Sequence, residues 1–380
     1  MRHPLAPTTF LFRNAGKSVP LVAVIVLAVM LIAGVIAMMN SIPYSIKTIY
    51  RYASGQLAIT PRGDGEGLKP LLKRVERASP VPIERIVTVR GMSTQIQSIV
   101  GKWPFVVLAM APDDVNFYLQ RHGVTSIEGR KPGVGKPEAL ISEPVARNLD
   151  LHVGSKILGP TDQDSYSPVP VTVVGIAKSE DWIAVGDIDF QRENFFPPVD
   201  AALVFARTPE DQIRLDAAAV KELKGARAQI FTYAEIKKQS DEMFTTLYKI
   251  LNVVIGTLVL VITLMMGMLI NIYQGQRTVE YGLLQAIGYN RQQLLRRSVV
   301  EALLVVVFGW IFGVFLARFL LLIVKTTLMD PRAYALEVAD PTAIAYTIPL
   351  PFAVLAVAVG TILWRFRDFD PVAVVERRLA

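Results

Sequence analysis

Four long apolar segments stand out from the otherwise mixed pattern of polar and apolar positions along the chain. They cover residues 19–39, 250–273, 299–324 and 343–364, and each is longer than 20 residues. A helix of that length rises about 1.5 Å per residue and crosses a hydrocarbon core of roughly 30 Å. One such segment is compatible with a buried core helix, but four in one chain predict four transmembrane helices.

Between the first two spans, residues 40–249 have the composition of a soluble domain, and the segment is far too long for an unstructured loop. Strand-like runs of β-branched and aromatic residues alternate there with amphipathic helical stretches. The predicted strands are 56–60, 85–90, 105–110, 169–176 and 201–205, and the predicted helices are 68–78, 113–121, 143–149 and 209–223. The predicted fold class is an α-helical membrane protein with four transmembrane helices and a mixed α/β extracytoplasmic domain inserted between the first and second.

Both ends of this domain have the pattern of helical stalks that continue the spans. After the first span, apolar residues recur at spacings of four, three and four, from Ile42 to Ala53. Before the second span, Thr232 and Glu235 form a capping-box pattern that predicts a helix start. A helix over 233–273 would be roughly 60 Å long. Two stiff rods would then connect the membrane part to the extracytoplasmic domain.

The distribution of charge predicts the orientation. Basic residues predominate in 1–18, 274–298 and 365–380, whereas the short loop 325–342 has more acidic than basic residues. By the positive-inside rule, both termini and the 274–298 loop face the cytoplasm. The first span has no small-residue cleavage site after it, so we interpret it as an uncleaved anchor rather than a signal peptide.

The composition excludes several kinds of chemistry. The chain has no cysteine and only three histidines, without a His-Glu-x-x-His pattern, so neither a thiolate nucleophile nor a histidine metal site is expected. Gly16-Lys17-Ser18 resembles the end of a nucleotide-binding loop, but Leu11 stands where that loop requires glycine. Residues 41–248 contain equal numbers of basic and acidic residues, so the net charge of +7 reflects membrane topology rather than nucleic-acid binding. We expect no catalytic residue, cofactor or metal in this chain.

The cytoplasmic loop 274–298 carries the most specific pattern. Val279, Leu283 and Ile287 fall at i, i+4 and i+8, on one face of a short helix. Gly288 can end that helix with positive φ, and Asn290 can cap a second helix that runs into the third span. Such an amphipathic helix either lies on lipid headgroups or docks into the groove of a cytoplasmic partner.

This loop resembles that of the MacB/FtsX/LolC-type (type VII) ABC transporter permeases. The matching residues are Arg277, Glu280, Gly282, Leu283, Leu284, Ala286, Gly288, Gln293, Leu294, Glu301 and Ala302. Gly309 and Gly313 match the family's third span, and Asp370-Pro-Val-Ala-Val-Val375 resembles its tail, although 363–367 departs from the usual pattern. Segments 126–130, 138–146, 151–156 and 171–176 resemble a conserved block of the family's outer domain, and the order of one span, a large domain and three spans is also typical of it.

The resemblance implies the permease subunit of an ATP-driven exporter or extractor of the bacterial cytoplasmic (inner) membrane. A separate cytoplasmic ABC ATPase would bind ATP and magnesium. This chain would form a homodimer, or a heterodimer with a second permease, and its spans would be surrounded by membrane lipid. The residues implied to couple to the ATPase are Arg277, Glu280, Leu283, Leu284, Ala286, Ile287 and Gly288. Arg277 and Glu280 would form ion pairs with the partner, and the apolar members would be buried against it.

Nucleotide-driven movement would then pass through the stalks to the extracytoplasmic domain, which is called mechanotransmission. Alternatively, the chain is an FtsX-like regulator that transports nothing and acts on a periplasmic or cell-surface partner such as a cell-wall hydrolase. A third reading is an ATP-independent receptor or scaffold. The cargo is not specified by the sequence. Four aromatic residues would either pack within the domain or contact a hydrophobic cargo, and packing is the favoured interpretation. They are Trp182, Phe190, Phe195 and Phe196.

Overall fold

A computed structural model describes residues 15–63, 65, 67–194 and 200–367. The chain divides into two compact units. The helical unit consists of Met1–Asn40, Thr245–Lys325 and Glu337–Ala380, and the sheet unit consists of Ser41–Phe244 and Thr326–Leu336. The predicted helical membrane part and inserted α/β domain therefore correspond to separate units, and a short segment after the third span belongs to the second of them.

Within the described ranges, four helices are long and apolar enough to cross a membrane, with mean hydropathies between 2.0 and 3.1 in their most apolar windows. Three of them contain their predicted spans, whereas the fourth predicted span, 343–364, begins six residues before the long helix that starts at Pro349. The four helices are α1 (Ala15–Ile49), α7 (Tyr233–Gln276), α9 (Arg291–Val324) and α11 (Pro349–Arg367). The short helices α8 (Thr278–Ala286) and α10 (Pro341–Ala345) lie between them in the chain.

Helices α1 and α7 continue beyond the length that a bilayer requires, at the ends where the stalk patterns predicted helix. Helix α1 continues to Ile49 and leads into a 3-10 helix, Tyr50–Gly55. Helix α7 has 44 residues and begins directly after Thr232, whose hydroxyl accepts a hydrogen bond from the Glu235 amide at 3.2 Å. At 1.5 Å per residue, α7 is about 66 Å long.

Small residues allow helices of the helical unit to approach closely. A β-carbon at Gly309 would lie 3.0 Å from Ile25, and one at Gly313 would lie 2.8 Å from Val29. The two glycines are four residues apart on α9, so they form one small-residue face against α1. This spacing is a familiar arrangement for tight helix packing within membranes.

The sheet unit contains a ten-stranded mixed sheet in the order β10-β1-β9-β2-β3-β8-β5-β7-β4, with β6 paired to β7. Two pairings are parallel, β3 with β8 and β5 with β7, and the other pairings are antiparallel. The strands are β1 (Leu57–Pro61), β2 (Ile83–Ser98), β3 (Gly101–Met110), β4 (Ile127–Gly129), β5 (Glu138–Ser142), β6 (Lys156–Leu158), β7 (Val171–Ala177), β8 (Ala184–Asp187), β9 (Ala201–Ala206) and β10 (Ala228–Phe231).

Five helices accompany the sheet: α2 (Leu68–Ala78), α3 (Pro112–Arg121), α4 (Glu143–Leu149), α5 (Ile188–Glu193) and α6 (Pro209–Glu222). Their buried side chains join those of the strands in three apolar clusters. One cluster contains Trp182 and Phe190, which are 2% and 3% exposed. The favoured packing role of these two side chains is therefore confirmed, whereas Phe195 and Phe196 lie outside the described residues.

The segment predicted as a short loop after the third span is partly helical. It contains a π-helical turn, Lys325–Met329, and a 3-10 turn, Asp330–Arg332. Within the sheet unit, Asn148 donates a hydrogen bond to the Arg332 carbonyl at 2.9 Å, and Arg147 donates to the Asp330 carbonyl at 3.2 Å. These contacts satisfy backbone carbonyls that a free loop would leave to water.

Candidate functional site

The loop that the sequence predicts to be cytoplasmic contains the short helix α8, which directly follows α7. Gly288 has a φ of +103°, a conformation that β-carbons disfavour, and it ends this helical segment as predicted. The Asn290 side chain accepts a hydrogen bond from the Gln292 amide, and Gln293 completes a capping box at the start of α9. Turn chemistry in the sequence therefore positions α8 between two long helices.

Four charged side chains form a cluster, the charge cluster, at the base of α8. It consists of Arg277, Glu280, Arg297 and Glu301. Arg277 Nη1 lies 2.5 Å from Glu301 Oε2, and Arg297 Nε lies 3.0 Å from Glu301 Oε1. Glu280 is 3.2 Å from Arg277 and 3.8 Å from Arg297. Each base contacts both acids. The charge cluster has two bases and two acids, and its formal charges therefore sum to zero.

Burial makes this pairing energetically important. The side chains of Arg277, Arg297 and Glu301 are 2%, 7% and 4% exposed, and only Glu280, at 37%, is well hydrated. Removing one partner from a buried ion pair leaves an uncompensated charge and typically costs about 3–5 kcal/mol. The charge cluster therefore fixes the start of α8 to α9 in one geometry.

Tyr281 adds a second set of contacts on the same face of α8. Its hydroxyl donates to Gln274 Oε1 at 2.7 Å and lies 2.9 Å from Ser298 Oγ. The Arg277 guanidinium sits 4.9 Å from the centre of the Tyr281 ring. Burial raises the pKa of Tyr281 to about 12, so the hydroxyl stays neutral and remains a donor at physiological pH. Burial by itself lowers the pKa of Arg277, but the contacts with Tyr281 and Glu301 make the net shift upward, so Arg277 stays charged.

The fourth long helix also contacts α8. Tyr281 and Phe366 have ring centres 5.2 Å apart, and both belong to a buried apolar cluster with Leu294 and Ile362. Arg365 donates to the Asn271 side chain at 2.8 Å. One face of α8 is thus held by side chains of α7, α9 and α11.

The opposite face of α8 is apolar and exposed. Val279, Leu283 and Ile287 are 37%, 55% and 77% exposed, and we call these three residues the apolar face. Exposed apolar side chains in one row are typical of a surface that is covered by a partner or by lipid. The sequence pattern of i, i+4 and i+8 is confirmed as a shared helix face, but it is the face turned away from the apolar core of this unit.

The predicted coupling residues therefore separate into two groups. Ala286 and Gly288 are exposed beside the apolar face, whereas Leu284 is half-buried against the Tyr281 cluster. The sequence-based interpretation gave Arg277 and Glu280 ion pairs with a partner protein, and these pairs stay a prediction. The Arg277 side chain is buried and paired with Glu301 and Glu280 of its own chain, because α8 folds back onto the start of α9.

The sequence interpretation also missed the roles of Arg297, Tyr281 and Ser298. In the sequence, Arg297 is one of the basic residues of the 274–298 loop, and Glu301 belongs to the family pattern. A signal was present, because Arg297 and Glu301 are four residues apart and therefore share a helix face. Their pairing with Arg277 and Glu280 depends on the turn at Gly288, which spacing alone does not specify.

Two family models match the chain in succession. The family described as MacB-like periplasmic core domain matches residues 21–233, and the family described as FtsX-like permease C-terminal matches residues 252–367. The first match covers more than half of the chain, and the two together include the sheet unit, α8 and the later spans. A search of curated proteins finds no significant match.

Solved structures show weaker similarity. The periplasmic region of MacB from Actinobacillus actinomycetemcomitans has 11% identity and a TM-score of 0.29, over 50% of this chain and 94% of that chain. The extracellular domain of the noncanonic ABC-type transporter YknZ from Gram-positive bacteria has 13% identity and a TM-score of 0.28, over 47% of this chain and 100% of that chain. The assignment rests on the family models, and this membrane protein belongs to the MacB/FtsX-type family of ABC transporter permeases.

Proposed function

We propose that this chain is the permease subunit of an ATP-driven exporter or extractor that works by mechanotransmission. In this proposal the apolar face of α8 binds a separate cytoplasmic ABC ATPase, which holds ATP and magnesium. Nucleotide-driven movement of the ATPase passes through α7 to the sheet unit. The permease would function as a dimer, with a second copy or a related chain, in the bacterial inner membrane with both termini in the cytoplasm.

The two-sided construction of α8 is the observation that carries this proposal. One face is fixed to the spanning helices by the charge cluster and Tyr281, while the other offers Val279, Leu283 and Ile287 to a partner. A contact that transmits force must be firmly attached to the element it moves. Three exposed apolar residues at helical spacing also match helix-in-groove recognition.

The charge cluster supports transmission rather than partner binding. Its members pair within this chain, so a displacement of α8 acts on α9 through buried ion pairs instead of bending a loop. Helix α7 runs without a break from Tyr233 to Gln276, which provides a continuous path of about 66 Å. Rigid helices of this kind are suited to carry a two-state change from one end to the other.

The choice of exporter over non-transporting regulator is supported by the inserted domain. Residues 21–233 match the MacB-like periplasmic core domain, and the sheet unit is larger than expected for a simple relay to a hydrolase. If a cell-wall hydrolase copurified with the sheet unit and depended on it for activity, the regulator function would replace this proposal.

The test is the double substitution Leu283→Asp and Ile287→Asp in the full-length protein, purified from its host membrane. We expect the copurifying ATPase and its ATP hydrolysis to be lost, because two charges would be buried in the contact. The control is Val100→Asp, which adds a charge at an exposed turn of the sheet unit. Unchanged ATPase association in the double variant would contradict the docking role.

A further inference from the structure

The sheet unit contains a large open cavity of about 590 Å³. Strands β1, β2, β3 and β9 form one wall, and the end of α1 and the first turns of α7 contribute the other. Protein interiors leave few voids larger than a water molecule, whereas sites for small molecules usually measure about 300–1,000 Å³. The cavity therefore has the size of a binding site rather than of a packing defect.

Aromatic and aliphatic side chains dominate its lining. Four aromatic rings contribute, from Tyr50, Tyr52, Trp103 and Phe231, together with the thioether of Met243. Phe231 and Met243 are 43% and 57% exposed. Leaving such side chains in water costs about 25 cal/mol per Å² of apolar area, so an apolar occupant that covered them would be stabilised.

The cavity offers little charge to an occupant. Among the described lining residues, Arg90 is the only one with a formal charge, and its Nε donates to Asp200 Oδ1 at 2.5 Å. The Arg90 side chain is only 12% exposed, so its charge is already offset by a close carboxylate. An anionic ligand would have to compete with Asp200, whereas an uncharged ligand would leave this pair intact.

Two polar atoms of the lining have no hydrogen-bond partner among the described residues, Gln56 Oε1 and Ser240 Oγ. Ser240 lies on α7 and is 3% exposed. Burying a hydroxyl without a partner typically costs about 1–3 kcal/mol. A hydrogen-bonding group of a ligand at this point of the wall would remove that cost.

We propose that this cavity binds the uncharged apolar body of an amphiphile, such as an acyl chain, with Ser240 hydrogen-bonded to a polar group of the ligand. The evidence for the binding site is the size and lining of the cavity. Its use in transport rests on the proposed function, because α7 contributes Ile236, Gln239, Ser240 and Met243 to the wall. A displacement of α7 driven by the ATPase would change the wall and release the ligand.

The experiment uses the full-length protein in lipid nanodiscs without nucleotide, labelled with a monoacylglycerol that carries a photoactivatable diazirine in its acyl chain. Labelled peptides are mapped by mass spectrometry. We expect adducts near Trp103 and Ser240, in addition to adducts on the spanning helices. An excess of unlabelled monoacylglycerol should displace the cavity adducts, because the two forms compete for the same site.

Ser240→Phe should fill part of the cavity and reduce the cavity adducts at least tenfold, while Val100→Phe, on an exposed turn outside the cavity, should leave them unchanged. If Ser240→Phe does not fold, Thr60→Phe fills the cavity from the sheet side. Labelling confined to the spanning helices, or cavity adducts that persist in a folded filled variant, would overturn the inference. The labelling assay contains no ATPase. A negative labelling result would therefore not argue against the binding of α8 to an ATPase, and a negative ATPase copurification would not argue against ligand binding in the cavity.

Discussion

Arg277 and Glu301 are 24 positions apart in the sequence, yet their side chains meet at 2.5 Å in a site where both are almost fully buried. The ion pair joins the start of α8 to α9. It attaches the short helix α8 to the rest of the helical unit, and the proposed force transmission requires this attachment.

Breaking this pair should uncouple the helix. Glu301→Gln leaves Arg277 and Arg297 with Glu280 as their only acidic partner in the charge cluster, and we expect the helical unit to lose about 3–5 kcal/mol of stability. The loss is measured as a lower midpoint of thermal unfolding in detergent. Glu280→Gln is the matched control, because Glu280 is 37% exposed and a pair of that kind contributes about 0–1 kcal/mol. Equal effects of the two substitutions would contradict the importance of the buried pair.

The close approach of α1 and α9 gives a second prediction. A β-carbon at Gly313 would lie 2.8 Å from Val29 Cβ, so Gly313→Ala should separate the helices and cost about 1–3 kcal/mol. Beyond the neighbouring backbone of α7 itself, no described atom lies within 4 Å of the β-carbon position of Gly256. Gly256→Ala should therefore be neutral or slightly stabilising through helix propensity. Thermal unfolding of both variants measures the difference in stability. If Gly313→Ala did not lower the unfolding temperature, α1 and α9 would not be in close contact at this position.

Asp216 predicts a specific dependence of stability on pH. Burial raises the pKa of Asp216 from 3.8 to about 7, although a hydrogen bond from Gln212 opposes the shift. Between pH 3.8 and about 7, the Asp216 carboxyl therefore keeps its proton in the folded protein but has released it in the unfolded chain. The stability from this proton is complete below pH 3.8 and is lost as the pH rises to about 7.

Asp216→Asn keeps the group uncharged and retains an acceptor for Gln212. At pH 8 we expect the free energy of unfolding of the variant to exceed that of the natural protein by about 1–3 kcal/mol, which raises the unfolding temperature. At pH 5 the advantage should be smaller. Unfolding curves of the purified protein at the two pH values test this. An advantage of the same size at both values would show that the carboxyl is not the cause.

Membrane orientation is testable because the chain contains no cysteine. Single cysteines at Ile287, on α8, and at Val134, in the sheet unit, would both be accessible, since the two positions are 77% and 61% exposed. An impermeant maleimide added to intact cells should label Val134→Cys and spare Ile287→Cys until the membrane is opened and the bound ATPase is stripped off. Labelling of both from outside would contradict the proposed topology.

Local chemistry predicted much of this structure. The helices at 68–78 and 143–149 have the bounds expected from the sequence, and the long stalk after Thr232 begins where its capping pattern placed it. These elements depend on caps and periodicity within one segment. Strand β7 begins at Val171, two residues later than predicted, because Pro170 has no amide hydrogen to donate to a neighbouring strand.

Features that depend on distant pairing were not predicted. Strand β2 is 16 residues long because it pairs with both β9 and β3, whereas its own pattern indicated a strand only over 85–90. The short strands β4, β6 and β10 carry too few residues for a pattern, and they exist because neighbours pair with them. The burial of Arg277 was missed for the same reason, since its partner Glu301 lies on another helix.

The most direct test of the account is a photo-crosslink from the apolar face. Benzoylphenylalanine at Leu283, in the full-length protein in its native membrane, should form an adduct with an ATP-binding cytoplasmic protein. The same probe at Phe315, an exposed apolar position on α9, should not. If the probe at Leu283 formed adducts only with lipid, α8 would lie on the membrane surface, and the proposed coupling to an ATPase would be wrong.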